Sequence, residues 1–133
     1  MFLKDIRDWL KLQINDTSIT CYIGKIDASK EQALCLYGRE GSNSKIAVGG
    51  LENTSTGNKT ISILVHYGKN YDVAERKVKS IYDIFNGQQA VINNHRCFFK
   101  MKNDEPIALG ANDNGIYEFT IYLNICYERE EVE

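Results

Sequence analysis

The side chains able to do chemistry in this sequence are few and scattered. His95 and Cys97 stand two positions apart in a run of strand formers, so they point to the same side of a strand. An imidazole beside a thiol is the start of a nucleophile-and-base pair. The sequence shows no third residue to orient the pair and no oxyanion-hole motif. Glu105 and Glu118 would suit paired-carboxylate chemistry, but sequence does not place them close together. The second histidine, His66, falls on the less apolar side of an alternating run. Gly38-Arg39-Glu40-Gly41 and Gly49-Gly50 do not match a phosphate-binding loop, because no Lys-Ser or Lys-Thr pair closes them into a helix. Asp113 between two asparagines has the composition of a calcium loop but lacks the downstream bidentate glutamate, and it reads as a hairpin turn. Cys21, Cys35, Cys97 and Cys126 have no zinc-site spacing and each falls in a strand-like stretch. They read as reduced, buried thiols. No catalytic residue, metal site or cofactor is expected, and the chain is not expected to be an enzyme.

Composition narrows the frame around these residues. The chain has 133 residues, 43% of them hydrophobic and 26% charged, which suits one ordered domain rather than a disordered or membrane chain. No apolar run approaches the roughly 18 residues that a membrane span needs. Met1-Phe2-Leu3-Lys4-Asp5 lacks the basic segment and apolar stretch of a signal peptide. The net charge is −2, and four of the acids, Glu128, Glu130, Glu131 and Glu133, crowd the last six positions. The rest is near neutral, with no basic run richer than Arg76-Lys77-Val78-Lys79, so sequence-specific nucleic-acid binding is not expected.

The elements that must position these groups follow from periodicity. Phe2, Ile6, Trp9, Leu10 and Ile14 recur at helical spacing over 2–14. Residues 19–26 and 32–37 read as strands, most simply joined as an antiparallel meander. From Gly38 to Asn58 the chain turns rich in Gly, Ser, Asn and Thr, holding five of the ten glycines, with a short strand-like interruption at Lys45-Ile46-Ala47-Val48. A connection this long is either a binding loop or a passive excursion. Residues 59–67 alternate as a strand, then Asp72, with Glu75 three positions on, starts a helix that ends at Asn86-Gly87. Ala90-Val91-Ile92 and 96–101 form a strand pair or one long strand about Asn93-Asn94. Pro106 marks an edge segment, and Asn114-Gly115 a hairpin. Tyr117, Phe119, Ile121, Leu123, Ile125 and Tyr127 alternate with mostly polar neighbours in a twelve-residue strand, long enough to extend beyond its own sheet or to pair across an interface. The expected fold is α+β: a mainly antiparallel sheet with two helices packed on one face and a long loop between early strands. Residues 1–128 form the expected domain, and 129–133 an acidic tail, read either as a solvated terminus or as lining a channel that DNA passes.

Three segments together carry a resemblance: Lys59 to Tyr67 with the helix bearing Asp72, Ala74, Glu75 and Tyr82-Asp83-Ile84-Phe85; Glu105-Pro106-Ile107-Ala108-Leu109-Gly110; and Asp113 to Asn124. With the short N-terminal helix, this resembles the tail-terminator and minor-capsid proteins of tailed bacteriophages and phage-tail-like bacteriocins, over roughly residues 2–128. It departs from that pattern at His66, where a basic residue is frequent. The resemblance implies a structural protein of the virion or tail-like particle, assembled in the bacterial host cytoplasm. It implies a homo-oligomer, a hexameric ring, that caps the tail tube, ends its growth and joins it to the neck or connector protein, in some relatives touching the sheath. No membrane partner is implied. Interface residues expected on this reading are Arg39, Glu40, Ser42, Lys45, Glu52, Asn53, Asp113, Tyr122 and Asn124. The alternatives are a neck or head-completion connector, and a small soluble ligand-binding domain or enzyme using His95, Cys97 and Glu118.

Overall fold

The computed structural model describes residues 1–40 and 55–132. Helix α1, Leu3–Ile14, is followed by strands β1 (Thr20–Ile23), β2 (Gln32–Arg39) and β3 (Thr56–Tyr67), helix α2 (Tyr71–Phe85), and strands β4 (Gln89–Ile92), β5 (His95–Met101), β6 (Ile107–Ala111) and β7 (Tyr117–Glu128). The strands form one curled sheet in the order β1-β2-β3-β7-β5-β4, with β6 also paired to β7. Among the described residues, only β1 and β2 run parallel; every other pairing is antiparallel. The α+β expectation holds.

Both helices lie on the same face because each has one apolar stripe to bury. Ile6 and Leu10 of α1 and Ala74, Val78, Ile81, Tyr82 and Phe85 of α2 share one core with Leu34, Leu36, Ile61, Ile63, Phe119, Ile121 and Leu123 of the sheet. Trp9, Phe85 and Phe99 seal the junction of the two helices and β5, with ring centroids 5.1–5.7 Å apart. Such tilted and edge-on contacts add to plain area burial. Asp5 accepts the Phe2 N–H at the start of α1, and Asn15 closes it in the left-handed region at φ 49°. The α2 N-cap is Asn70, whose Oδ1 accepts the Val73 N–H, and not the expected Asp72. Asp72 sits one residue inside the helix, where it pairs with Arg76 at 3.0 Å and faces the positive end of the dipole.

Three expectations about the sheet need correction. The first two strands are parallel, not a meander: Thr20 lies opposite Ala33 and Ile23 opposite Leu36. The chain therefore retraces its path over 24–31, turning at Gly24 (φ 77°), whose N–H donates to the Leu36 carbonyl, and again at Asp27, which accepts from Ser29. β3 begins at Thr56, so 56–58, read as loop, are strand, as are Gly38 and Arg39 at the end of β2. Gly57 is needed there: a Cβ would stand 2.6 Å from Cζ of Tyr127, its partner on β7. The proposed short strand at Lys45 to Val48 lies outside the described residues.

The third correction concerns β7, which supplies no free edge. β3 pairs with it from Glu118 to Glu128 on one side. On the other, β6 takes Tyr117 to Thr120 and β5 takes Leu123 to Tyr127, with the Lys102 N–H bridging to the Tyr122 carbonyl between them. Its length is spent on two shorter strands sharing one flank. β4 and β5 join through Asn93 and Asn94, both at positive φ, the two-residue turn that suits strand twist. In the β6–β7 turn Asn112 Oδ1 accepts the N–H groups of Asn114 and Ile116, and Gly115 takes φ 78°. Beyond β7, Arg129 N–H donates to the Ser55 carbonyl and Val132 N–H to that of Asn94.

Candidate functional site: a polar sheet face

Strand alternation puts two different surfaces on the sheet. The face away from the helices carries Tyr37 and Arg39 from β2, Asn58, Thr60, Ser62 and His66 from β3, Glu118, Tyr122 and Asn124 from β7, and Lys100 from β5. Register lines them up in rows: Tyr37, Ser62 and Tyr122 in one; Arg39, Thr60, Asn124 and Lys100 in the next.

These rows are knitted by side-chain hydrogen bonds. Arg39 Nε donates to Ser62 Oγ at 2.8 Å, and its guanidinium lies 5.9 Å from the centre of the Tyr122 ring. Thr60 Oγ1 donates to Asn124 Oδ1, and Asn124 Nδ2 donates to Asn58 Oδ1, each at 3.0 Å. Thr60 and Ser62 are buried, so these bonds satisfy groups that would otherwise cost about 1–3 kcal/mol each. Beside them Thr60, Lys100, Met101, Lys102 and Asn124 line a hollow of about 300 Å³. Further along the face, His66 is 1% exposed with Nε2 3.3 Å from Glu118 Oε1, and neither ring nitrogen makes a well-formed hydrogen bond.

Of the residues expected at an interface, Arg39, Tyr122 and Asn124 come together here. Glu40 is exposed where β2 ends, and Asp113 is exposed in the β6–β7 turn at the opposite end of the sheet. Ser42, Lys45, Glu52 and Asn53 lie outside the described residues. Asn58, Thr60 and Lys100 belong to the same surface and were not singled out. Asn58 and Thr60 occupy the polar phase of the β3 alternation, and Lys100 that of β5, so the signal was present once the strand start was placed correctly.

The residues weighed for catalysis are dispersed. Cys97 is fully buried toward the helices, which pushes its thiol up from the ordinary range and away from a reactive thiolate. His95 Nδ1 lies 2.8 Å from the Glu128 carbonyl, and so is held by backbone, not by the thiol. Burial likewise raises the thiols of Cys21 and Cys35, and Tyr37, packed beside Cys35, is pushed up to about 12. All four cysteines are free. Glu118 sits beside His66, while Glu105 lines a groove of about 530 Å³ between α2 and β6 with Tyr71, Arg76, Lys79 and Pro106, so the two carboxylates form no pair. Among the described residues, no three His, Cys, Asp or Glu side chains cluster as metal ligands would, and no helix is long and apolar enough to cross a membrane.

Among the described residues, the sheet thus has one face covered by the two helices and one face of hydrogen-bonded polar side chains, and the histidine, cysteine and carboxylate groups weighed for chemistry are dispersed. The family model for bacteriophage tail terminator proteins matches residues 4–129. The chain belongs to that family, and is thereby a structural component of a phage tail that contacts other tail proteins. A solved structure 16% identical in sequence superposes with a TM-score of 0.52 over 98% of this chain and 91% of its own length, which shows the shared fold. No curated protein matches the chain.

Proposed function

We propose that this protein caps the end of the tail tube as a closed ring, a hexamer, ending tube growth and offering a platform to the neck protein and, in a contractile tail, to the sheath. Residues 1–128 act as the ring-forming domain and 129–133 as its acidic extension. The site of action is the neck-proximal end of the tail of a virion or bacteriocin-like particle, after assembly in the host cytoplasm. The observation that carries this reading is the sheet face turned away from α1 and α2, with its ordered Arg39–Ser62 and Thr60–Asn124–Asn58 bonds. A pre-organised polar surface costs little further ordering when a partner lands on it. A ring of subunits meeting head-to-tail uses two different surfaces of each subunit, and the polar sheet face would supply one of them.

Removing the gene from the producing strain and measuring tail lengths by negative-stain electron microscopy tests the proposal. Overlong, uncapped tubes are expected. Tails of normal length detached from heads would assign the protein to the neck instead, and unaltered particles would refute both structural roles.

A further inference from the structure

One half of the face turned away from the helices carries cationic side chains that form no ion pair among the described residues. Cys97 and Phe99 of β5 point into the core, so Arg96, Phe98 and Lys100 point outward and are exposed. Lys102, also exposed, follows at the rim of the hollow that Lys100, Thr60 and Asn124 line. Among the described residues, none of Arg96, Lys100 and Lys102 has a carboxylate within 4 Å. The same chain carries uncompensated negative charge in Glu130 and Glu131, which are exposed and also without a cationic partner among the described residues.

We infer that the cationic half of this face receives the acidic carboxy-terminal segment of a second copy of the chain, Glu130 and Glu131 meeting Lys100 and Lys102. The inference rests on the ring reading and names one of its contacts. Docking in cis is disfavoured by the backbone. Arg129 and Val132 are tied to the carbonyls of Ser55 and Asn94 at 2.7 and 2.6 Å, past the end of β7. Lys100 lies opposite Asn124, four residues back along β7 from Glu128, which is about 14 Å at roughly 3.4 Å per residue. The backbone of Glu130 and Glu131 is therefore held beyond the end of β7, away from Lys100 of the same subunit. Phosphate is the poorer fit, because the chain is negative overall. Exposed Phe98 beside the lysines suits a peptide with apolar as well as acidic side chains, and Val132 supplies one.

Two full-length variants test this in a strain lacking the native gene: Lys100→Glu/Lys102→Glu, and Glu130→Lys/Glu131→Lys. All four positions are exposed, and thermal unfolding of each purified variant checks the fold. Should the double reversal lower stability, Lys102→Glu alone replaces it as the face variant, keeping negative charge to meet the lysine-bearing tail. Each variant alone is expected to leave overlong tails. Produced together they are expected to restore normal length, because every face then meets a complementary tail on the neighbouring subunit when the two alternate. Normal tails with either variant alone would overturn the inference. So would rescue by all four substitutions in one chain without rescue by co-production, which would place the contact in cis. A third contrary result is loss of DNA retention on the lysine variant with no effect from the glutamate variant, which would make the face a phosphate site. None of these outcomes touches the capping proposal, which fails only if deleting the gene leaves tail length unchanged.

Discussion

The two faces of the sheet are built from the same strands but by different rules. On the helix-covered face, Leu34, Leu36, Ile61, Ile63, Ile121 and Leu123 are buried among aliphatic and aromatic neighbours, and any well-packed apolar set of the same volume would serve. On the other face Arg39, Ser62, Thr60, Asn124 and Asn58 meet through directed hydrogen bonds, and each donor is matched to one acceptor. Those bonds satisfy the buried Thr60 and Ser62 hydroxyls and also fix the positions of Arg39 and Asn124 at the surface. The difference separates what holds the protein together from what the proposed assembly would read.

That separation makes stability and assembly respond to different substitutions. The largest stability loss is expected from Phe85→Ala, which removes the ring joining Trp9 and Phe99; about 3–5 kcal/mol should be lost in urea unfolding. Gly57→Ala comes next, since its methyl would press on the Tyr127 ring. Overpacking of this kind costs roughly 1–3 kcal/mol, read from the same unfolding curve. Thr60→Val keeps the shape but removes the donor to Asn124, so a loss of about 1 kcal/mol is expected. Its effect on tail length should exceed what that loss explains. A fully normal tail-length distribution for Thr60→Val would blur the contrast between the faces.

The smallest effect concerns neither face. Ser18 donates to Asp16 from both hydroxyl and backbone N–H, and Lys77 lies 3.1 Å away, lowering the Asp16 carboxyl from 3.8 to about 2. A depressed carboxyl contributes stability above its unfolded value, and that contribution is lost as pH falls through the folded one. Asp16→Asn should therefore flatten the thermal-midpoint profile between about pH 4 and pH 2, where the wild type declines.

Much of the helix-covered face was legible in the sequence. Ile6, Leu10, Val78 and Phe85 recur at helical spacing, and Phe119 to Ile125 alternate without a break, because each stripe answers to one apolar core. What escaped was set by partners distant in the chain. The parallel pairing of β1 with β2 depends on the return path over 24–31, which has turn residues at both ends and no periodicity. The early start of β3 was hidden because Gly57 and Asn58 carry loop chemistry, and only Tyr127, seventy positions later, requires the glycine. The length of β7 suggested a free edge, whereas two short strands divide its flank. For the polar face, Arg39, Tyr122 and Asn124 were picked out singly; their convergence with Thr60 and Ser62 follows from register, which a hydrophobic pattern does not specify for polar side chains.

The most direct test of a divided sheet is one double substitution on its open face, Arg39→Ala/Asn124→Ala, supplied to a strain lacking the native gene. Tail length is measured by electron microscopy, and the thermal midpoint of the purified protein is measured alongside. A folded protein is expected, its midpoint lowered by only a few degrees, together with overlong tails. A folded variant that restores tails of normal length would contradict a role for this face in capping.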